Sequence, residues 1–428
     1  MIKNNKNIVI TLLLAVVAMM LTVSCSEQDF PNPNAASEDS ASIGFLGSGI
    51  ESGMRIDLGI FYNEIAVLGR EAYYLEPSDP RYTSELMTGP IDANGFLLTR
   101  PWGARYRIVK DCNVLLGRAA DEPNAQFAAG ARGFAKTTMA YQLLLNLILT
   151  DQNGIRVDVA GTPLGPILDK TAALNALGAM LDDGASDLAS GGSSFKWPLS
   201  NGFASFNTPS GFREFNRGLR ARVAAYQSNW AGVMSALGES FLDTSMPMEF
   251  GAYHSYTTGS GDLLNPIFEP TGSTFVKFLA HPTFVADAEP GDLRYSSKTF
   301  QRATPVSQAG LSSDVAVNIS KNNVDNFPII RNEELILLRA EANIQMGNLG
   351  AAQDDINVVR AAAGLADVTL TSEAQAMNQL LHERRYSLWV EGHRWADMRR
   401  YGRLGDLPLD RPGDAVVEMF PIPTNEFN

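Results

Sequence analysis

The chain has 428 residues, of which 45% are hydrophobic and 19% are charged, the balance of an ordinary globular protein. Its formal charge is −13 at pH 7, and loss of residues 1–24, which carry two lysines and no acidic residue, takes it to −15. With no Lys/Arg block and no basic face, this charge excludes nucleic acid as a partner, because such binding normally needs a basic footprint.

The amino terminus has the layout of a lipoprotein signal peptide. Two lysines precede an apolar run over residues 8–21, which is shorter than the stretch of about 20 residues that a membrane-spanning helix needs. Small residues then lead to Cys25. We predict that residues 1–24 are removed and that Cys25 is lipidated, which would anchor the protein to a membrane. The alternative is an ordinary secreted protein with an incidental cysteine.

Residues 25–42 are rich in Ser, Asn, Pro, Asp and Glu and poor in apolar side chains, so we predict a flexible tether. The only other cysteine is Cys112. Lipidation of Cys25 leaves Cys112 without a partner for a disulfide. The domain that follows, over residues 43–428, must therefore be stabilised by its own hydrophobic core.

Apolar residues in this domain recur mainly at helical spacing, which predicts a mainly α fold. One example is the face formed by Phe212, Phe215, Leu219, Val223 and Tyr226. Stretches rich in Gly, Pro and Ser at 151–170, 190–211 and 251–328 are predicted to be long irregular loops. Loops of this kind tend to carry binding residues.

An internal similarity at an offset of 119 residues links the segments 212–238 and 331–362. Each segment has the pattern of a helix, a short turn and a second helix. Small residues at positions such as Ala340 and Ala352 allow the two helices to approach closely. We predict tetratricopeptide-like helix pairs that are interrupted by the 251–328 insertion. The alternative is two unrelated helical hairpins.

Residues 380–400 contain charged residues on an otherwise apolar helical stripe. Arg384 and Glu391 share this stripe with Leu381, Leu388 and Trp395, so both should face the core and be hydrogen-bonded. An unpaired buried charge would cost several kcal/mol, which favours a structural network of polar groups.

A catalytic cluster of Glu391, His393 and Asp397 is the alternative to that network. No nucleophile and no metal-ligand spacing accompanies these three residues.

The same segment resembles the carboxy-terminal signature of the SusD/RagB family. The positions that match it are Glu383, Arg384, Arg385, Leu388, Glu391, Gly392, Arg394, Trp395, Asp397 and Arg400. Further similarity covers most of the domain, at Trp102, Tyr106, Ile108 and Asn113, at Gly291, Asp292 and Arg294, and at Pro421, Ile422 and Pro423. The resemblance makes Arg384, Glu391, Arg394, Trp395 and Asp397 a structural signature.

This resemblance implies a surface-exposed outer-membrane lipoprotein with tetratricopeptide-like helices. It also implies a partner, a SusC-like TonB-dependent transporter on which the protein acts as a lid, and a nutrient ligand that is an oligosaccharide or a peptide. Glu27 and Asp29 resemble the acidic export signal of such lipoproteins.

No motif for catalysis, metal binding or cofactor binding stands out in the sequence, so no catalytic residue, metal or cofactor is predicted. For a binding protein the useful side chains are loop aromatics, because flat sugar faces and apolar peptide groups stack on them. Tyr73, Tyr74, Tyr253 and Tyr256 are the candidate ligand-binding residues. A helical scaffold for other surface proteins and a hydrolase are the alternative functions.

Overall fold

Helices form most of the regular structure in residues 41–427, the part of the chain that the computed structural model describes. The predicted signal peptide, Cys25 and the tether up to residue 40 lie outside it. The amino-terminal half contains α1 (Ile43–Gly53), α2 (Leu58–Leu68), α3 (Glu85–Thr88), α4 (Phe96–Ala120), α5 (Ala125–Thr150) and α6 (Lys170–Ala189).

The carboxy-terminal half continues the helical pattern. It contains α7 (Pro209–Tyr226), α8 (Trp230–Leu237), α9 (Pro282–Ala286), α10 (Leu293–Lys298), α11 (Asn332–Gln345), α12 (Leu349–Ala362), α13 (Glu373–Ser387) and α14 (Arg394–Arg400). The start of α7 follows from its sequence: Thr208 caps the backbone N–H of Gly211, and Pro209 occupies the first helical position. The predicted mainly α fold is confirmed.

The apolar face predicted for α7 points into the core. Phe212, Phe215, Leu219 and Val223 are buried there. Phe212 and Phe215 belong to a group of packed aromatic rings that also includes Phe203, with centroids 5.1 to 5.6 Å apart. This burial supplies the main stabilisation of the segment, because apolar area removed from water contributes about 25 cal/mol per Å².

Each of the segments 212–238 and 331–362 contains two helices that pack against each other. The first holds α7 and α8, the second α11 and α12, and α8 also packs against α11. Gly347 makes the turn of the second pair with a φ of +78°, and the buried Ala340 and Ala352 let its helices approach closely. That the two pairs are copies of one repeat stays a prediction.

The prediction of irregular loops was wrong for much of 251–328, which contributes strands. The strands are β1 (Ala72–Tyr74), β2 (Ile155–Arg156), β3 (Ile167–Leu168), β4 (Gly251–His254), β5 (Phe278–Ala280), β6 (Thr299–Gln308), β7 (Leu311–Val317) and β8 (Phe327–Arg331). An antiparallel sheet has the order β1-β5-β7-β6, while β4 pairs with β8 and β2 with β3. The start of β7 alternates between buried and exposed residues, which is the pattern of a strand. This short pattern is easily overlooked in a sequence where helical spacing dominates.

The pairing of β4 with β8 contains an irregularity. Ala252 lies opposite Ile330 and Tyr253 opposite Pro328, so Ile329 has no residue across from it. An extra residue of this kind bends the strand and re-aims the neighbouring side chains.

The single helical stripe predicted through residues 381–398 is wrong. Helix α13 ends at Ser387, and Val390 and Gly392 have φ values of 65° and 86° before α14 begins. The break is held by Trp389, whose ring stacks on Phe284 with centroids 4.1 Å apart. Packing against a distant segment therefore outweighs the local helical pattern here.

Candidate ligand-binding site

A cleft of about 790 Å³ opens between the end of α1, residues 198–203, and β4 with the loop that follows it. We call it the first cleft. Its volume falls within the range of small-molecule sites, about 300–1,000 Å³. Among its lining residues are Glu51, Ser52, Arg55, Asn201, Tyr253, Tyr256 and Asp262.

Arg55 forms the centre of one wall and is held by several acceptors. It donates to the Ser52 backbone oxygen at 3.2 Å, the Ser52 hydroxyl at 2.9 Å and the Ser255 carbonyl at 2.5 Å. Its guanidinium also forms an ion pair with Asp262 at 2.7 Å and lies 5.6 Å from the centre of the Tyr256 ring. These bonds join α1 to the loop after β4 and fix the width of the first cleft.

The pKa values of the two carboxylates that line the first cleft are shifted in opposite directions. Burial opposes ionisation of Asp262, but hydrogen bonds from Arg55 and from the Thr257 hydroxyl outweigh it, so its pKa is lowered. Burial raises the pKa of Glu51, although the backbone N–H of Ser200 donates to its carboxylate at 3.0 Å. Both carboxylates are therefore engaged in holding the walls together.

A close backbone contact forms the floor of the first cleft. A Cβ atom on Gly202 would lie 2.0 Å from the Tyr253 carbonyl oxygen, so only glycine fits at this position. The buried His254 lies next to this contact with its Nε2 3.3 Å from the Tyr141 hydroxyl oxygen. Burial lowers the pKa of His254 well below its usual value, so the ring is neutral.

Two of the four predicted tyrosines line the first cleft. Tyr256 is 4% exposed, and within residues 41–427 its hydroxyl has no hydrogen-bond partner. Tyr253 is half-buried and donates from its hydroxyl to the Glu249 carbonyl. In the same part of the chain the Tyr253 ring contacts no other aromatic ring.

The structure does not bring Tyr73 and Tyr74 to this cleft. They lie in β1, paired with β5, because this segment is a strand and not the loop that its sequence suggested. Tyr73 is 3% exposed, with its ring centroid 4.9 Å from that of His281, and Tyr74 packs on Tyr82 at 4.6 Å. These contacts are structural, and a ligand role for the two residues stays a prediction.

The signature residues lie away from the first cleft, and Arg384, Glu391 and Asp397 among them form ion pairs. Arg384 is buried and its Nε donates to Asp397 at 2.6 Å, while Glu391 accepts from Arg331 at 2.6 Å. Both are hydrogen-bonded as predicted, but to different partners. Trp395 is buried and its Nε1 donates to the Val417 carbonyl at 2.9 Å. Burial lowers the pKa of Arg394 to about 10.

The alternative catalytic cluster does not form around a common space. Asp397 is bound to Arg384 and Arg400, and Glu391 is bound to Arg331. The His393 Nε2 lies 3.7 Å from Glu334, and burial lowers the pKa of His393 to about 4. Glu391 and Asp397 therefore serve separate structural ion pairs, and His393 is a buried neutral ring near a third carboxylate.

The residues of α1 that line the first cleft were missed by the sequence analysis. No motif marks Glu51, Ser52 or Arg55, although the run of small residues at 47–53 was a possible signal. The other walls come from the stretches 190–211 and 251–328, where binding residues were expected.

Within residues 41–427, His, Cys, Asp and Glu side chains form no group of three or more that could hold a metal ion. In the same region, none of the helices is both long and apolar enough to cross a membrane.

Comparison with known proteins identifies relatives. Residues 297–426 match the model of the SusD family. SusD-like protein P38 from Formosa agariphila is 31% identical over 124 residues, which are 27% of this chain. The match spans about a quarter of that relative, 25% of its length.

Solved structures show the same fold over nearly the whole chain. A SusD superfamily protein from Bacteroides vulgatus covers 91% of this chain and 96% of its own, with a TM-score of 0.68 at 15% identity. Surface glycan-binding protein A from Bacteroides thetaiotaomicron, solved in complex with laminarihexaose, covers 90% and 96%, with a TM-score of 0.68 at 13% identity. NanU from Bacteroides fragilis covers 88% and 94%, with a TM-score of 0.63 at 13% identity.

The chain therefore has the fold of these SusD superfamily structures, and its residues 297–426 are similar in sequence to the SusD family.

Proposed function

We propose that this protein is a lipid-anchored, non-catalytic outer-membrane protein that captures an oligosaccharide in the first cleft. It then delivers the oligosaccharide to a SusC-like TonB-dependent transporter. The observation that carries this proposal is the make-up of the first cleft, where the partly exposed ring of Tyr253 stands among hydroxyl, amide and carboxylate groups.

Sugars need such a combination of groups. Their hydroxyls exchange hydrogen bonds with polar side chains, and their C–H faces pack on aromatic rings. The first cleft supplies the partly exposed ring of Tyr253 together with the polar groups of Asn201, Thr257 and Asn326, while the ring of Tyr256 is buried in its wall. A few well-placed polar groups on a concave surface are what orient a small ligand.

The relatives support the choice of ligand and location. One protein of this fold was solved with laminarihexaose, which favours a carbohydrate over a peptide. A lipid on Cys25, as the sequence predicts, would hold the domain at the outer membrane, next to the transporter partner that the resemblance to the SusD/RagB family implies.

The carboxylates of the first cleft are also unsuited to catalysis. Glycoside hydrolysis uses two carboxyl groups that flank the scissile bond, one as acid and the other as base or nucleophile. Here Asp262 is committed to Arg55, and Glu51 accepts the backbone N–H of Ser200. Neither carboxylate is arranged to transfer a proton to a bound sugar.

A matched pair of substitutions tests the site. Asn201 and Asn207 are both exposed at the ends of one short 3-10 helix, but only Asn201 lines the first cleft. Asn201→Trp should fill the cleft and weaken binding of laminari-, malto- or xylo-hexaose at least about tenfold by calorimetry, a loss of roughly 1.4 kcal/mol. Asn207→Trp should bind like wild type.

Equal affinity of the two variants would place the site elsewhere. Binding of peptides, with no hexaose bound by wild type, would identify the ligand as a peptide.

A further inference from the structure

A second cleft of about 440 Å³ lies against the first. Tyr253 and Asn326 line both clefts, so these two residues form the boundary between them. We propose that the two clefts form one groove, which binds an uncharged oligosaccharide long enough to lie across Tyr253. This inference rests on the proposed function of the first cleft.

Tyr253 is placed to act as a platform between the clefts. Ala252 and His254, its neighbours along β4, are fully buried, whereas Tyr253 points to the opposite side of the strand and is half-buried. Its hydroxyl is bonded to the Glu249 carbonyl, which fixes the direction of the ring. A fixed, partly exposed ring loses little conformational freedom when a sugar packs on it.

Charged groups in the second cleft compensate one another. Arg331 forms ion pairs with Glu333 at 2.7 Å and with Glu391 at 2.6 Å. Lys298 donates to the Tyr386 carbonyl at 2.9 Å, and its Nζ lies 4.0 Å from Glu391. These cations are already compensated by carboxylates, so the cleft offers no net positive charge to an acidic sugar.

The remaining cations of the groove are also paired. Arg294 in the second cleft bonds to Asp292 and Glu383, and Arg55 in the first cleft bonds to Asp262. The carboxylate of an acidic glycan would be desolvated here without a new cation to compensate it. Uncharged sugars, which need only hydrogen bonds and apolar contact, fit the groove better.

Two neighbouring serines provide the test. Ser297 and Ser296 are both exposed on α10, and each hydroxyl donates to a backbone carbonyl of that helix at 3.2 Å. Only Ser297 lines the second cleft. Calorimetry with Ser297→Trp should show the affinity for a hexaose reduced at least about tenfold, while the affinity for the corresponding disaccharide stays within about twofold of wild type. Ser296→Trp should match wild type for both ligands.

The sugars are the laminari-, malto- and xylo-oligosaccharide series, with oligogalacturonate as the acidic probe. A Ser297→Trp variant with wild-type affinity for every hexaose that wild type binds would overturn the extended groove. If Asn201→Trp still abolished binding, the proposed function would stand.

Preferred binding of oligogalacturonate by wild type would overturn the uncharged ligand class. Failure of wild type to bind any hexaose would overturn both proposals together. Tyr253→Ala, with Tyr253→Phe as its control, should reduce affinity for the hexaose more than for the disaccharide.

Discussion

Side chains of the carboxy-terminal signature pair both with near neighbours in the sequence and with residues far from them. The apolar spacing predicts that Arg384 and Glu391 are buried and hydrogen-bonded; both are hydrogen-bonded and Arg384 is buried, but Glu391 is only partly buried. The spacing cannot supply the partner of Glu391, because Arg331 lies 60 residues earlier, at the end of β8. Local spacing predicts which side chains face the core, whereas the tertiary fold determines which residue each of them pairs with.

Asp397 tests how much the buried network contributes to stability. Asp397→Ala leaves the buried Arg384 without its carboxylate and also removes an ion pair with Arg400 at 2.8 Å. We expect it to lower the free energy of unfolding by about 3–5 kcal/mol, as measured by urea denaturation. The control is Asp406→Ala, which breaks an exposed pair with Arg403 at the same three-residue spacing. It should cost at most about 1 kcal/mol.

The contribution of Asp397 should also depend on pH. Burial opposes its ionisation, but Arg384 and Arg400 outweigh it and lower the pKa to about 2 from 3.8. A lowered carboxylate pKa gives stability that is present above the unfolded-state value and is lost as pH falls toward 2. The difference in unfolding free energy between wild type and Asp397→Ala should therefore shrink in that range. A constant difference, or equal losses in the two alanine variants at neutral pH, would contradict the buried-pair assignment.

The four candidate tyrosines show the limit of predicting a binding site from local composition. All four are candidates because they lie near turns or in a loop rich in Gly, Ser and Thr. The strand that contains Tyr73 and Tyr74 pairs with residues about 200 positions later, so no local pattern could reveal its burial. Tyr253 and Tyr256 line the cleft because the return strand β8 holds their segment in place.

The position of the short helix after residue 200 depends on the close approach of its glycine to the backbone of β4. Gly202→Ala would place a methyl group against the Tyr253 carbonyl oxygen, so either β4 or the wall of the first cleft must move. Introducing a group into a packed site of this kind typically costs about 1–3 kcal/mol. We expect lower stability and weaker hexaose binding, measured by thermal unfolding and calorimetry.

Gly117→Ala is the matched control for this substitution. Gly117 lies inside α4, and a Cβ there would have no atom within 4 Å. Because alanine favours helix, this change should stabilise the protein by up to about 1 kcal/mol and leave binding unchanged. The close-contact argument would fail if both variants behaved alike.

Helices were more predictable than strands for a physical reason. A helix satisfies its backbone hydrogen bonds locally, so its apolar period is visible in a short window of sequence. The β1–β5 and β4–β8 pairs join segments far apart in sequence. The break between α13 and α14 is likewise set by Phe284, about 100 residues before Trp389.

One experiment on the whole protein can test both the lipid anchor and the partnership with a transporter. We expect gentle detergent extraction of native membranes, followed by affinity purification of the wild-type protein, to recover an outer-membrane barrel of the TonB-dependent class. Cys25→Ser should release the protein from the membrane fraction and abolish this recovery. Cys112→Ser removes a buried thiol of the core and should leave the anchor intact.

Retention of the Cys25→Ser variant in membranes would disprove the lipid anchor. Recovery of wild type without a barrel, under conditions that preserve other barrel complexes, would favour the scaffold alternative from the sequence analysis.

The unpaired Ile329 in the β4–β8 ladder has a consequence for how this protein can diversify. Besides its hydroxyl bond to Glu249, the direction of Tyr253 depends on the register of β4 against β8, in which Tyr253 lies opposite Pro328. Insertion or loss of one residue in β8 would shift the register and turn the platform away from the groove. A change in the length of this strand would therefore alter the ligand-binding surface without changing the helical framework.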